Sequence, residues 1–219
     1  MSNIIVLMGA PGAGKGTQAR LLQERRGLPQ ISTGDMFRSL LKTGTPLAEE
    51  LRPILSAGQL VPDELTMRIV SERTAQGDCR GGYVLDGFPR TTAQAEMLEG
   101  LASLQGHALL AVLVDVPFRI LEKRTTGRRN CPVCNEIYNV YSKPPKVAGV
   151  CDNHPDVQLN HRADDYPETV KTRLETYERQ TQPLLEYYEQ SGRLRRVDGA
   201  RDVEAIYADI EKAVISDQR

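Results

Sequence analysis

Short runs almost free of polar residues recur along the chain. Residues 4–8 are Ile-Ile-Val-Leu-Met, residues 82–87 Gly-Tyr-Val-Leu-Asp-Gly, and residues 108–114 Ala-Leu-Leu-Ala-Val-Leu-Val. The first holds three β-branched residues and no alternation, the pattern of a strand buried on both faces. Briefer strands are expected at 30–32 and 193–197. Between them the spacing changes to that of helices. Residues 17–26 form a short one that Gly27 stops. Thr33 is expected to cap a second, in which Met36 pairs with Leu40 and Phe37 with Leu41, and Gly44 ends it. Thr45-Pro46 restarts a helix that Gly58 closes, with a kink or break predicted at Pro53. Further helices are predicted over 63–77, with Leu65 and Ile69 on one face, from Thr92, and from Pro117 to the basic end at Lys123 and Arg124. Another starts at Pro167, carries Val170, Leu174 and Tyr177, and bends at Pro183. The last is capped by Asp202, with Val203, Ile206, Ile210 and Val214 on one stripe.

Strands alternating with helices predict an α/β fold, a parallel sheet covered on both faces. Two segments interrupt the alternation. Residues 32–61 read as two small helices inserted between strands. From Arg128 to Asp165 no helical periodicity survives, and Cys, Pro, Gly and Asn dominate; a loop that long in a compact domain is functional or tied down.

Composition narrows the reading. At 219 residues and net charge −1 the chain suits one sizeable core with insertions. Near-neutral charge gives no electrostatic case for a nucleic-acid or membrane partner. No apolar run approaches spanning length, and the sequence runs straight into a strand, so a soluble, cytoplasmic protein is expected. Of 28 basic residues 21 are Arg. That bias suits bidentate phosphate contacts, or reflects codon composition alone. Four cysteines in such a chain suggest metal or catalysis before disulfides.

The candidate chemistry begins directly after the first strand. Residues 9–17, Gly-Ala-Pro-Gly-Ala-Gly-Lys-Gly-Thr, hold four glycines and one lysine and lead into a helix. Glycine lets successive N–H groups turn toward phosphate oxygens, the helix start adds a positive dipole end, and Lys15 adds a mobile charge. The spacing fits a P-loop. That pattern asks for Ser or Thr directly after the lysine; here Gly16 stands there and Thr17 follows, which argues for a metal held largely by phosphates and water. Asp86, at the carboxyl end of its strand, is a candidate to orient Mg²⁺ and its waters; alone it reads equally as a cap or solvated turn. Arg90 extends from the same edge.

Gly9–Thr17, Ser32-Thr-Gly-Asp-Met36, Leu60-Val-Pro-Asp63, Asp86-Gly-Phe-Pro-Arg90 and Arg162-Ala-Asp-Asp165 with Arg173 behind it together resemble adenylate kinase, essentially end to end. The resemblance implies a P-loop NTPase-type core (1–31, 62–126 and 166–219), an AMP-binding insertion (32–61) and a lid (127–165). It implies phosphoryl transfer from Mg·ATP to AMP giving two ADP, by a monomer. Residue by residue, Gly12, Ala13, Gly14, Lys15, Gly16 and Thr17 would hold the ATP phosphates. Arg124, Ile137, Tyr138 and Arg201, the last through its backbone carbonyl, match positions beside ATP. Thr33, Arg38, Gly87, Phe88, Pro89, Arg90 and Gln94 would hold AMP, with backbone help from Gln59, Leu60 and Val61. Arg128, Arg162 and Arg173 match arginines that converge on the transferred phosphate. Gln94 can offer an adenine edge a donor and an acceptor; taken alone it reads as a solvated helix residue.

The chemistry agrees with this. An AMP phosphate oxygen is already anionic, so no general base is needed; positive charge, in-line geometry and exclusion of water are. A second signal lies in the long loop. Cys131-Pro-Val-Cys134 and Cys151-Asp-Asn-His154, sixteen residues apart, fit a tetrahedral Cys₃His zinc site. A redox C-x-x-C is the rival, and Asp152, Asp156 and His161 are substitutes for His154. Cys79 reads as a buried hydrophobe, His107 and His161 as surface residues, and Asp164-Asp165 as a hinge or a solvated acidic pair. A UMP or CMP kinase is the nearest alternative; Thr33 and Gln94 favour adenine. A zinc-ribbon nucleic-acid module is opposed by charge and by 5% aromatics, and a GTPase by the absence of an Asn-Lys-x-Asp motif.

Overall fold

The computed structural model describes residues 3–217; positions 1–2 and 218–219, the outer ends of the expected core unit, lie outside the described residues. Among those residues a five-stranded, all-parallel sheet forms the centre. It is built from β1 (Asn3–Met8), β2 (Gln30–Ser32), β3 (Gly82–Asp86), β4 (Ala108–Asp115) and, last in the chain, β9 (Leu194–Asp198), in the order β2-β3-β1-β4-β9. Side chains of β1 alternate between two cores because successive residues of a strand face opposite ways. Ile4, Val6 and Met8 join the first core. It also holds Val70 of α4 (Asp63–Thr74), Ala95 and Leu98 of α5 (Thr92–Gln105), and Leu184 and Tyr188 of α8 (Pro183–Gln190). Ile5 and Leu7 join the second. Their neighbours there are Leu22 of α1 (Lys15–Arg26), Leu121 of α6 (Phe118–Thr126) and Ile210 of α9 (Val203–Asp217). No helix is long and apolar enough to cross a membrane among the described residues.

The first inserted segment carries α2 (Thr33–Leu41) and α3 (Pro46–Ser56) around a core of its own, Phe37, Leu51 and Val61, which Leu65 and Ile69 of α4 extend. Two expectations change here. The cap of α2 is Ser32, whose hydroxyl accepts from Asp35 N; Thr33 is already helical, and its hydroxyl donates instead to Gly87 O at 2.9 Å. Pro53 does not break α3. One helix runs through it, and Leu51 before it and Ile54 and Leu55 after it pack into the same core. Just before Pro183, where a bend is expected, a π turn, Tyr177–Thr181, joins α7 (Pro167–Thr176) to α8.

The second segment is not a loop. It holds two antiparallel hairpins, β5 (Arg128–Asn130) with β6 (Ile137–Asn139) and β7 (Val150–Cys151) with β8 (His154–Gln158). Their shared core is Cys131, Tyr138 and Cys151, packed by Cys134, Val157 and Leu159. This unit rests on the main body through Arg20 of α1, whose guanidinium lies 3.2 Å from Glu136. His107 and His161 are half-buried rather than on the open surface, each against a tyrosine ring, Tyr83 and Tyr166 respectively. Cys79 is buried, as its reading as a small hydrophobe required.

Candidate active site

The glycine-rich loop lies between the carboxyl end of β1 and α1, where ligands of parallel α/β sheets bind. Gly14 precedes α1 with φ 101°, no side chain caps that helix, and its first turn holds no acid. Uncapped N–H groups with the helix dipole behind them favour an anion. Gly12 is fixed by its neighbours: with φ +86°, a Cβ there would meet the Thr125 hydroxyl and would lie 2.8 Å from Leu121 O. At Gly16 a Cβ would stand 3.1 Å from a carboxylate oxygen of Asp86. A side chain in place of Gly16, as the Ser or Thr of the usual pattern would bring, would require the Asp86 carboxylate to shift by a few tenths of an ångström.

Lys15 donates to Gly9 O at 2.7 Å and Ala10 O at 3.1 Å. Burial draws its pKa down to about 8; the carboxylate of Asp86 resists, and Arg90, Arg173 and Arg128 add to the fall. Four residues far apart in sequence thus act on one ammonium. Arg90 is lowered to about 10, by burial first and then by Arg173, and it feels Arg38 as well. Arg162 is lowered to about 10 by burial, Arg128 and Arg38, and its Nε is buried with no partner among the described residues. A concave set of cations with an unpaired donor fits a phosphate, which brings both charge and acceptor oxygens.

The counter-charges come from residues that sequence reading left open. Asp165 is fully buried and accepts a bidentate pair from Arg128, at 2.7 and 2.6 Å, and a third bond from Arg173 at 2.9 Å. Asp164 lies 3.1 Å from Arg173 and 3.9 Å from Arg38. Neither is a solvated acid. Arg38 also pairs with Asp35 at 2.7 Å, an i,i+3 spacing that the sequence did offer as a signal.

The surroundings of Arg90 are tightly held. Arg90 Nε donates to Gly87 O, the same carbonyl that Thr33 uses, and Gly87 has φ +82°. Phe88 and Pro89 are buried beside it. Gln94 is 2% exposed, so it is not a solvated helix residue; it accepts from Arg90 N and donates to Asp63. Gln59 is exposed at the end of the insertion, Leu60 is half-buried, and Val61 belongs to its core. On the other flank Arg124 donates to Gly199 O at 2.9 Å, which brings it beside the loop holding Arg201. The Arg201 side chain is exposed and paired with Asp209. Ile137 is half-buried on β6. The Tyr138 side chain is not free to face a nucleotide: it is buried among the cysteines, and its hydroxyl accepts from Asp152 N.

Cys131, Cys134, Cys151 and His154 present four ligand atoms within 4.8 Å of one another. A tetrahedral zinc with ordinary bond lengths has sulfur–sulfur edges of about 3.8 Å and sulfur–nitrogen edges of about 3.6 Å. The observed Cys134–Cys151 edge is 3.8 Å, and His154 Nδ1 lies 3.8 and 3.7 Å from the sulfurs of Cys131 and Cys151. A disulfide needs sulfurs at about 2 Å, so the cysteines are free. Asp152, a substitute ligand on sequence grounds, spends its carboxylate on Lys146 N. The cluster is compatible with a zinc site.

A family model described as adenylate kinase matches residues 7–193. A protein of Shouchella clausii (strain KSM-K16) named adenylate kinase is 51% identical over 216 residues, 98% of this chain and 99% of its own length. One of the same name from Oceanobacillus iheyensis is 51% identical over 208 residues, covering 94% and 96%. Another, from Bacillus subtilis (strain 168), is 48% identical over 208 residues, covering 94% and 95%. With this family match and a likeness that runs nearly end to end, the chain belongs to the adenylate kinase family, the nucleoside monophosphate kinases that convert ATP and AMP to two ADP.

Proposed function

We propose that the reaction runs in the space enclosed by the glycine-rich loop, the 32–61 insertion and the 127–165 hairpins, with the insertion as AMP site and the hairpins as lid. Residues 12–17 would bind the ATP phosphates, with Arg124, the main chain at Ile137 and Tyr138, and the backbone at Arg201 beside the rest of ATP. AMP would lie against Thr33, Arg38, Arg90 and Gln94, with the backbone of residues 59–61 and 87–89. The observation that carries this is the ion network joining the three parts: Asp165 accepts from Arg128 of the hairpins and from Arg173 of α7, and Asp164 lies 3.1 Å from Arg173 and 3.9 Å from Arg38 of the insertion.

An AMP phosphate oxygen attacks the γ-phosphorus in line, the new P–O bond forms, and the bond to the β-phosphate oxygen breaks, leaving ADP on each side. No proton need be removed from the nucleophile. Lys15, Arg90, Arg128, Arg162 and Arg173 would meet the charge on the transferred group, and cations already held in place cost little reorganisation at that moment. Mg²⁺, bound with ATP, supplies further neutralisation of the β- and γ-oxygens. Asp86 and the Thr17 hydroxyl are the groups that would hold its waters. Contact of the lid with Arg20 would keep bulk water out, which matters because an open site would hydrolyse ATP.

For the Cys131, Cys134, Cys151 and His154 cluster the reading is a structural Zn²⁺. All four positions are filled by protein, which leaves no place for a reacting water. Hairpins with strands of two to five residues and a core of a few side chains bury too little surface to order themselves, and metal binding would act as folding energy. A cytoplasmic monomer is the accompanying expectation. A coupled assay for ADP, run with ATP and each of AMP, UMP, CMP and GMP, tests the acceptor assignment: AMP should be used best, and a pyrimidine acceptor turned over faster would overturn it.

A further inference from the structure

Asp63 lies just past the AMP-binding insertion, in the first turn of α4, and its two carboxylate oxygens are both spent on the start of α5. Oδ1 accepts from Gln94 Nε2 at 2.7 Å, and Oδ2 accepts from the Thr91 hydroxyl at 2.9 Å. Thr91 is the cap of α5 and accepts from Gln94 N. Gln94 Oε1 accepts from Arg90 N at 2.8 Å. The four residues close a polar ring spanning 31 positions of sequence, and Gln94 within it is 2% exposed.

A primary amide has two donors on nitrogen and two lone pairs on oxygen, and flipping it by 180° exchanges them. In this ring the flip is opposed from both ends. An ionised carboxylate only accepts, so it demands the amide nitrogen. The Arg90 N–H only donates, so it demands the oxygen. One N–H and one oxygen lone pair remain, in a fixed order. Adenine presents an acceptor ring nitrogen beside an amino donor; a 6-oxopurine presents a donor beside an acceptor. A locked amide suits one order, and a site left with unpaired buried groups rejects the other strongly.

We infer that Asp63 is a specificity-determining positioning residue: it does not touch the acceptor nucleotide, but fixes which way the Gln94 amide faces the base. Residues 59–61 end two positions before Asp63, so the chain that carries them is joined to Gln94 through the same carboxylate. This inference rests on the reading that Gln94 meets the AMP base, and the test separates the two.

Asp63→Asn keeps the shape and can offer Gln94 either a donor or an acceptor, so the order is no longer enforced. KM for AMP should rise about tenfold, from loss of one charge-assisted bond and its orientation. KM for ATP should be unchanged, and the preference for AMP over GMP or IMP should narrow by a similar factor. Asp63→Ser carries the same expectation if the Asn variant does not fold, and Asp63→Glu, which retains an acceptor, should recover most of the preference. Thr91→Val removes the partner of the other oxygen and should lower the melting temperature with no change in base preference. In the double variant with Gln94→Leu, Asp63→Asn should have no further effect on preference. If Gln94→Leu alone leaves AMP use and base preference intact, the reading of Gln94 is wrong. If Gln94→Leu shifts the preference while Asp63→Asn lowers only stability, Asp63 is merely structural and the inference falls.

Discussion

Asp165→Asn preserves volume and one acceptor but removes a buried charge that faces two guanidinium groups. Arg128 loses a bidentate partner at 2.7 and 2.6 Å, and Arg173 loses one at 2.9 Å. Removing one member of a buried ion pair costs about 3–5 kcal/mol, because the remaining charge stays desolvated. Two features hold the figure to the lower end: the amide oxygen still accepts, and Asp164 still stands 3.1 Å from Arg173. At about 3 kcal/mol, and about 2–4 °C per kcal/mol for a chain of this size, the melting temperature should fall by about 6–12 °C. Thermal unfolding followed by circular dichroism, without nucleotide, measures it. The released arginines also gain from any anion placed among them. Saturating ATP should therefore raise the melting temperature of the variant more than that of the parent. A variant that melts within about 2 °C of the parent, or that gains no more from ATP, would refute the view that Asp165 balances phosphate-binding cations.

Lys15 in the free enzyme loses its charge as pH rises through about 8. kcat/KM for ATP should fall there while kcat, measured with the phosphates bound and the ammonium favoured, holds to higher pH; a flat kcat/KM profile across this range would contradict it. The same depression has a sign for stability: below about 8 the buried charged lysine carries a desolvation penalty in ligand-free protein, and above it the unfolded chain holds a proton that the folded one has lost, so stability should rise with pH from about 8 toward the ordinary lysine value of 10.5 as that penalty is relieved. Gly12→Ala should cost both stability and ATP affinity, since its Cβ would meet Thr125 and Leu121 O at positive φ; unchanged melting and ATP titration would show that the loop yields freely. Protein purified without chelator should carry about one zinc per chain, and chelation should lower the melting temperature. His154→Ala should lose metal and His154→Cys retain it, as elemental analysis will show; metal-free protein of full stability would end the proposal.

Much of this architecture was legible because its signals are local. The β-branched run before Gly9, the glycine spacing up to Lys15, and the i,i+4 pairs of α2 each lie within a dozen residues. The four metal-ligand candidates were legible too, since two knuckles with fixed spacing need no knowledge of the fold. The hairpins that carry them were not. Strands of two to five residues hold no period, and their core is made chiefly of the cysteines themselves. The α2 cap was misplaced by one residue because Ser32 and Thr33 are both competent caps, and only the reach of Thr33 toward Gly87 O decides between them. A break at Pro53 does not occur because packing on both sides of the proline outweighs the local rule. Asp63, Asp164 and Asp165 escaped for a different reason. Their partners are side chains brought near by packing, Gln94 lying 31 positions from Asp63 and Arg128 37 from Asp165, and sequence separation of that order carries no sign of pairing.

Fixed positive charge around the transferred phosphoryl group, rather than a proton-accepting side chain, performs the catalysis. The most direct measurement is the ATP-plus-AMP turnover number of Lys15→Met beside its far-UV circular dichroism spectrum. The variant should be folded, with a native spectrum, and should lose about a hundredfold or more in kcat, the scale of removing one preorganised group that stabilises the transition state. Near-normal kcat in a natively folded Lys15→Met protein would contradict it.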